Sequence, residues 1–406
     1  MKKVLLILML IVAIKSHAQN TTQILFIGNS ITYYNNMPQT FESIANSLGD
    51  TTEVTVYAPG GTGFVNHVND PNVYNHFMQK QWDYIVLQPG SNESPGYSFP
   101  IEITYSRAQI LLDSIYKYNP CTQVLFYEIS YGVWGNSTAD LVTYNNTMSA
   151  IKTNLEYLVD STNTFFAPVG EVFRHKWNTD QNDILWGGFG DIHPNDKGSY
   201  VAACTFYSSI FQKPSLGTSE ISSLTLSDAN QIQKLSDSVV LNHFSNWRIN
   251  TYNQVTDFSY TIQSDTVLFT NTSQNIDSLT WDFGDGTYSN LSNPSHVFHS
   301  TGSFEISLTT YQNGCEQVKK DTIHILSIDH FSNTFQWQIY PNPVSDVLYI
   351  ENNKKGLYLY KIYNANGQLI YSGQNHIIPV STFESGHYFI QRIGKTDSQV
   401  KRFIVW

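Results

Sequence analysis

The chain is 406 residues long, which at roughly 150 residues per domain points to about two to three domains. Hydrophobic residues make up 41% and aromatic residues 14%, so a disordered chain is excluded, and 24 Gly and 14 Pro are too few for a collagen-like repeat. Only 14% of the residues are charged and the net charge is −11, which disfavours nucleic acid and anionic membranes as partners.

The N-terminus, MKKVLLILMLIVAIKSHAQN, has the parts of an export signal: Lys2 and Lys3, the apolar run Val4–Ile14, then small Ser16 and Ala18 before Gln19. The apolar run is shorter than the roughly 20 residues a spanning helix needs. Residues 1–18 are expected to be cleaved, leaving an exported chain without a membrane span. From Gln23 buried-strand patterns alternate with helical ones. ILFIG, EVTVYA, DYIVLQ, QVLFYEIS and TFFAPV are five expected strands, with helical spacing over Phe41–Leu48, Ile103–Tyr118 and Ala139–Val159. Further helices are expected after His193 and from Ser227 to Phe244. The alternation predicts one α/β domain over 20–250, with a parallel sheet covered on both faces. Short alternating strands such as FSYTIQ, TVLFTN and SFEISLTT then predict a β-sandwich over 254–327, and VLYIE to VKRFIVW a second β module over 335–406. The three cysteines, Cys121, Cys204 and Cys315, allow at most one bridge. Cys315 falls in the β module, so any bridge is expected between Cys121 and Cys204; three buried thiols are the alternative.

The chemistry-bearing residues follow the expected strands, where open α/β sheets place their sites. Ser30, after ILFIGN, falls at a strand-to-helix turn suited to a nucleophile, although a serine there is also an ordinary helix cap. The turn APGGTG brings Gly61, whose backbone N–H can approach an oxyanion closely. It lacks both the G-x-G-x-x-G pattern and the lysine of a phosphate loop. In QPGSNES the Asn92 amide is a neutral donor for an oxyanion. In GDIHPND, His193 can take the Ser30 proton and a carboxylate can orient the imidazole. Each signal is ordinary alone; their order is not.

In that order, GNS at 28–30, Gly61, Asn92 and DIHP at 191–194 resemble the blocks of the SGNH (GDSL-like) hydrolase family. The resemblance implies a flavodoxin-like three-layer α/β/α fold and ester hydrolysis through an acyl-enzyme. It makes Ser30 and His193 catalytic, with Ser30, Gly61 and Asn92 as the oxyanion hole. Asn29 and Glu93 stand where the family usually has Asp. The family also places an Asp three residues before the His, where this chain has Gly190. Asp191, two before it, is the expected third member, because residues two apart in an extended segment share a side. A backbone carbonyl or Asp183 are the alternatives.

WDFGDG (281–286) with His296 and Phe298 resembles a PKD domain, an Ig-like β-sandwich that serves as a spacer or adhesive module. Its D-x-x-D-G pattern lacks the Glu of an EF-hand calcium loop, and no metal or cofactor is implied. YPNP at 340–343, the NANGQ turn and the basic–apolar ending resemble the type A C-terminal sorting domain of the type IX secretion system. That implies transport by this machinery in a Gram-negative bacterium of the Bacteroidetes type. The expected protein is a secreted or cell-surface esterase acting on acylated polysaccharide. Lipid or aryl esters, or a non-catalytic adhesin, are the competing expectations.

Overall fold

The computed structural model describes residues 21–263, 265–326, 337–352, 357–394 and 398–406; the expected export signal lies outside them. Five aliphatic and aromatic runs form the parallel strands β1 (Thr22–Ile27), β2 (Thr52–Tyr57), β3 (Tyr84–Leu87), β4 (Gln123–Tyr127) and β5 (Phe165–Ala167), in sheet order β2-β1-β3-β4-β5. Ile24, Leu25 and Phe26 of β1 are 0% exposed, as a strand covered on both faces requires. The helices are α1 (Ser30–Tyr33), α2 (Met37–Ser47), α3 (Phe64–His67), α4 (Pro71–Gln79), α5 (Ile101–Tyr118), α6 (Thr138–Thr162), α7 (Val169–Thr179), α8 (Asp196–Phe211) and α9 (Leu226–Leu241). Helices α2, α8 and α9 pack together on one face, and α4, α5 and α6 on the other. The strand order is the flavodoxin-like one, which reverses direction between β1 and β3. Ile27 of β1 is level with both Tyr57 of β2 and Leu87 of β3, so the three following loops emerge side by side.

The boundaries differ from expectation where a proline intervenes. The fifth strand ends at Ala167, because Pro168 cannot continue the ladder, and Val169 opens α7 instead. Helix α4 carries Pro71 at its first position, with the Asp70 side chain accepting from the Asn72 N–H as cap.

A two-sheet sandwich follows in the same compact unit. Strands β6 (Phe258–Gln263), β7 (Thr266–Asn271) and β10 (Ser295–Val297) form one sheet. Strands β8 (Ser278–Asp282), β9 (Tyr288–Ser289), β11 (Gly302–Gln312) and β12 (Cys315–Ile325) form the other. Trp281, Phe269 and Leu308 fill the space between them.

The expected Cys121–Cys204 bridge is not what forms. Cys121, in the turn before β4, is bonded to Cys315 at the β11–β12 hairpin. Cys204 is free, 0% exposed within α8, and burial pushes its thiol up to about 12. Cys204 lies inside the helical layer, whereas the Cys121 turn precedes β4 at the N-terminal end of the sheet. The bridge therefore joins two modules rather than stapling one.

The second unit has its own core. Strands β13 (Trp337–Tyr340), β14 (Val347–Asn352) and β17 (Ile377–Pro379) pair in one antiparallel sheet. Strands β15 (Leu359–Asn364), β16 (Leu369–Gly373), β18 (Gly386–Ile393) and β19 (Ser398–Val405) pair in another. Trp337, Leu348, Tyr360, Ile390 and Phe403 are buried together. Among the described residues, no helix is long and apolar enough to cross a membrane.

Candidate active site

Strand β1 ends one turn before Ser30, and the turn is crowded. A Cβ on Gly28 would clash with Thr32 Oγ1 and meet Gln88 Oε1 at 2.7 Å, so only glycine fits. Asn29 caps α1 by accepting the Ile31 N–H at 3.0 Å, and its amide donates to the Thr62 carbonyl at 2.8 Å. Gln88, after β3, donates to Asn29 Oδ1 at 2.8 Å and accepts the Asn29 N–H at 3.1 Å. The residue that stands where Asp is usual thus binds the first loop to the other two. Ser30 opens α1, so its backbone N–H is one of the first-turn donors a helix leaves unpaired internally.

The second and third loops are joined by Glu93, which is 3% exposed. Its carboxylate accepts the N–H groups of Phe64, Val65 and Gly90 at 2.8, 3.0 and 2.8 Å and pairs with Arg107 at 3.0 Å. Gly63 lies so near that a Cβ would sit 2.7 Å from Gly90 Cα. Gly61 turns at φ +73°, a left-handed conformation that favours glycine. Asn92 Oδ1 accepts the Tyr131 hydroxyl at 2.9 Å, which fixes the amide and leaves its N–H groups directed elsewhere.

The fourth loop brings an imidazole. His193 Nε2 lies 2.9 Å from Ser30 Oγ, and its Nδ1 lies 2.7 Å from Asp191 Oδ1. The same Asp191 oxygen accepts the His193 backbone N–H at 2.9 Å. That N–H, then the imidazole, outweigh partial desolvation and hold the Asp191 carboxyl below its usual value. Gly190 has φ +83°, strained for an aspartate, so a carboxylate fits better one residue later. Asp183 is engaged elsewhere, 2.8 Å from both Lys176 and Lys197. Tyr34 stacks on the imidazole with ring centroids 4.2 Å apart.

Ser30, Gly61, Asn92 and His193 line one open cleft of about 420 Å³. A serine hydroxyl facing an imidazole backed by a carboxylate is the arrangement for nucleophilic catalysis. Among the described residues no cluster of His, Cys, Asp and Glu is arranged to hold a metal ion. The supporting groups Gln88, Tyr34 and Tyr131 carry no motif, and Glu93 stands in sequence only as a departure from one. Their only sequence signal is position, beside the strand ends and the block residues.

Two family models match the chain. The PKD domain model matches residues 251–325, and the secretion system C-terminal sorting domain model matches 338–406. The chain is sorted for secretion to the cell surface or beyond. No curated protein matches it. Similar solved chains number 106 in all. A DUF4886 family protein from Bacteroides uniformis is 16% identical over 55% of this chain and 95% of its own, with TM-score 0.47. A putative SGNH hydrolase from Slackia heliotrinireducens is 24% identical over 47% and 98%, with TM-score 0.37. The acetyl xylan esterase AlAXEase is 16% identical over 46% and 99%, with TM-score 0.39. In the PKD domain, Asp285 is committed to His296 at 2.7 Å, and His296 stacks on Phe283 at 4.1 Å. Those groups tie a hairpin to the sandwich core.

Proposed function

We propose that the α/β domain is a serine ester hydrolase of SGNH type that removes O-acyl groups, in the first place O-acetyl groups, from carbohydrate. One observation carries the reading: the relay Ser30–His193–Asp191, with separations of 2.9 and 2.7 Å, opening on a cleft shared with Gly61 and Asn92. Sorting to the surface favours a polymeric extracellular substrate over a cytoplasmic metabolite. We further propose that residues 1–18 are a cleaved export signal, that the PKD domain spaces the enzyme from the surface, and that the sorting domain is removed after type IX transport.

In this mechanism Asp191 accepts the Nδ1–H of His193, leaving Nε2 free to take the Ser30 proton as Oγ attacks the ester carbonyl. The oxyanion that forms is held by the N–H groups of Ser30 and Gly61 and by the Asn92 amide. Collapse expels the sugar oxygen, which takes the proton from Nε2 and departs as a hydroxyl, and an acyl-Ser30 remains. Water, deprotonated by His193, then attacks that ester; the second collapse returns the proton from Nε2 to Ser30 Oγ and releases the carboxylic acid.

Ser30→Ala tests the reading. Turnover of p-nitrophenyl acetate should fall by at least about 10³, and labelling by a fluorophosphonate should vanish. Undiminished labelling in the variant would sink the assignment, and no labelling of the parent chain would favour the adhesin.

A further inference from the structure

Beside the cleft, Tyr97, Tyr131 and Trp134 form an aromatic shelf that the ester chemistry does not use. Tyr131 and Trp134 stack with centroids 5.5 Å apart and planes at 21°, and Tyr97 meets Tyr131 edge-on at 5.9 Å. Tyr97 is 60% and Trp134 57% exposed, a large apolar area to leave in water. The shelf borders a cavity of about 230 Å³ that also includes Gly132, Thr143 and Tyr144.

The shelf is rigid and continuous with the cleft. The Tyr131 hydroxyl donates to Asn92, which lines the cleft itself. Gly132 packs so closely that a Cβ would meet the Asp191 carbonyl at 2.6 Å, and the Gly190 N–H donates to the Val133 carbonyl at 2.8 Å. The aromatic loop therefore rests on the same backbone that carries Asp191 and His193. The Tyr97 hydroxyl is held by Thr147 Oγ1 at 2.7 Å. A shelf held in place before any ligand arrives loses little entropy on binding.

Its chemistry selects a neutral, amphipathic ligand. Aromatic faces carry negative partial charge and attract the C–H face of a pyranose. Among the described residues lining this cavity there is no Lys or Arg, and the carboxylate present is Asp140, which disfavours an anion.

We propose that Trp134, Tyr131 and Tyr97 form a pyranose-binding subsite that holds a neutral sugar unit of the polysaccharide next to the one whose ester reaches Ser30. The role in ester cleavage rests on the esterase reading; the binding of sugar does not.

The test uses the full chain carrying Ser30→Ala and oligosaccharides without any ester, so chemistry at Ser30 cannot affect it. Isothermal titration with xylohexaose, mannohexaose and cellohexaose should show binding to at least one. Adding Trp134→Ala or Tyr97→Ala should weaken that binding by about tenfold or more. Trp134→Phe, which restores a flat ring, should recover most of it, a rescue that a merely structural role would not produce. The proposal is overturned if none of the three sugars binds, if the alanine variants bind as tightly as the parent, or if hexagalacturonate binds as well as the neutral sugars. Fluorophosphonate labelling of the Ser30 chain reads the esterase assignment separately, so either claim can fail alone.

Discussion

A single residue step separates Asp191 from the position where the resemblance places its aspartate, and the backbone accounts for the step. At Gly190 the chain turns through φ +83°, where a side chain is strained, and Asp191 reaches Nδ1 of His193 at 2.7 Å from the next position. If this carboxylate sets the imidazole tautomer, Asp191→Asn should lower kcat for p-nitrophenyl acetate by about 10³–10⁴ with little change in KM. Gly190→Asp should not rescue it, because the restored carboxylate sits on strained backbone. A loss under tenfold would mean that some other group orients His193. The nearness of Ser30 to His193 is legible in the sequence because each follows or precedes an element whose pattern is strong. Tyr34, stacked on His193, is not legible: nothing in NSITYYNN separates a tyrosine that touches this imidazole from its neighbour Tyr33.

At the scale of elements, the cleft exists because three strands end level and their loops are tied by buried polar groups. Glu93 is the central tie, joining the start of α3 to the loop after β3 and taking Arg107 from α5. Glu93→Ala would leave Arg107, 17% exposed, without its carboxylate and would orphan three backbone N–H groups. Breaking a buried pair this way costs about 3–5 kcal/mol, and the loops carrying Gly61 and Asn92 would lose their shared anchor. The expected result is a thermal unfolding midpoint lower by several degrees and a kcat lower than the stability loss alone explains, measured at a temperature where the variant is still folded. A variant as stable and active as the parent would show that the loops hold without it. The sheet itself is legible, since runs such as ILFI and VLFY are long enough to mark buried strands. The role of Glu93 is not, because a carboxylate beside Asn92 looks in sequence like a departure from a motif, and only its burial reveals an anchor. Helix α7 is hidden for a related reason: Phe165 to Val169 is apolar throughout, and the proline that divides strand from helix lies inside that run.

Across the whole molecule the Cys121–Cys315 bridge decides how the α/β and PKD domains are tethered. Cys121 lies before β4, at the N-terminal end of the parallel sheet, whereas the Ser30 cleft lies at the C-terminal ends. The bridge therefore ties the PKD domain to the side away from the Ser30 cleft. Pairing across modules is not legible in the sequence, because residues 194 apart come together only through packing that no local pattern encodes. An exported chain meets oxidising conditions, which favour this bridge, while the buried, high-pKa thiol of Cys204 resists exchange. Thiol titration of the denatured, unreduced chain should accordingly find one free thiol. Closing so long a loop is worth about 2–5 kcal/mol, so Cys121→Ser should lower the unfolding temperature of the tethered pair and speed proteolysis near the 250–254 link. Turnover of p-nitrophenyl acetate should stay within about twofold, because no group of the relay touches the bridge. A tenfold fall in turnover with the fold intact would mean that the tether reaches the cleft through the sheet, and the PKD domain would then be part of the enzyme's working unit rather than its spacer.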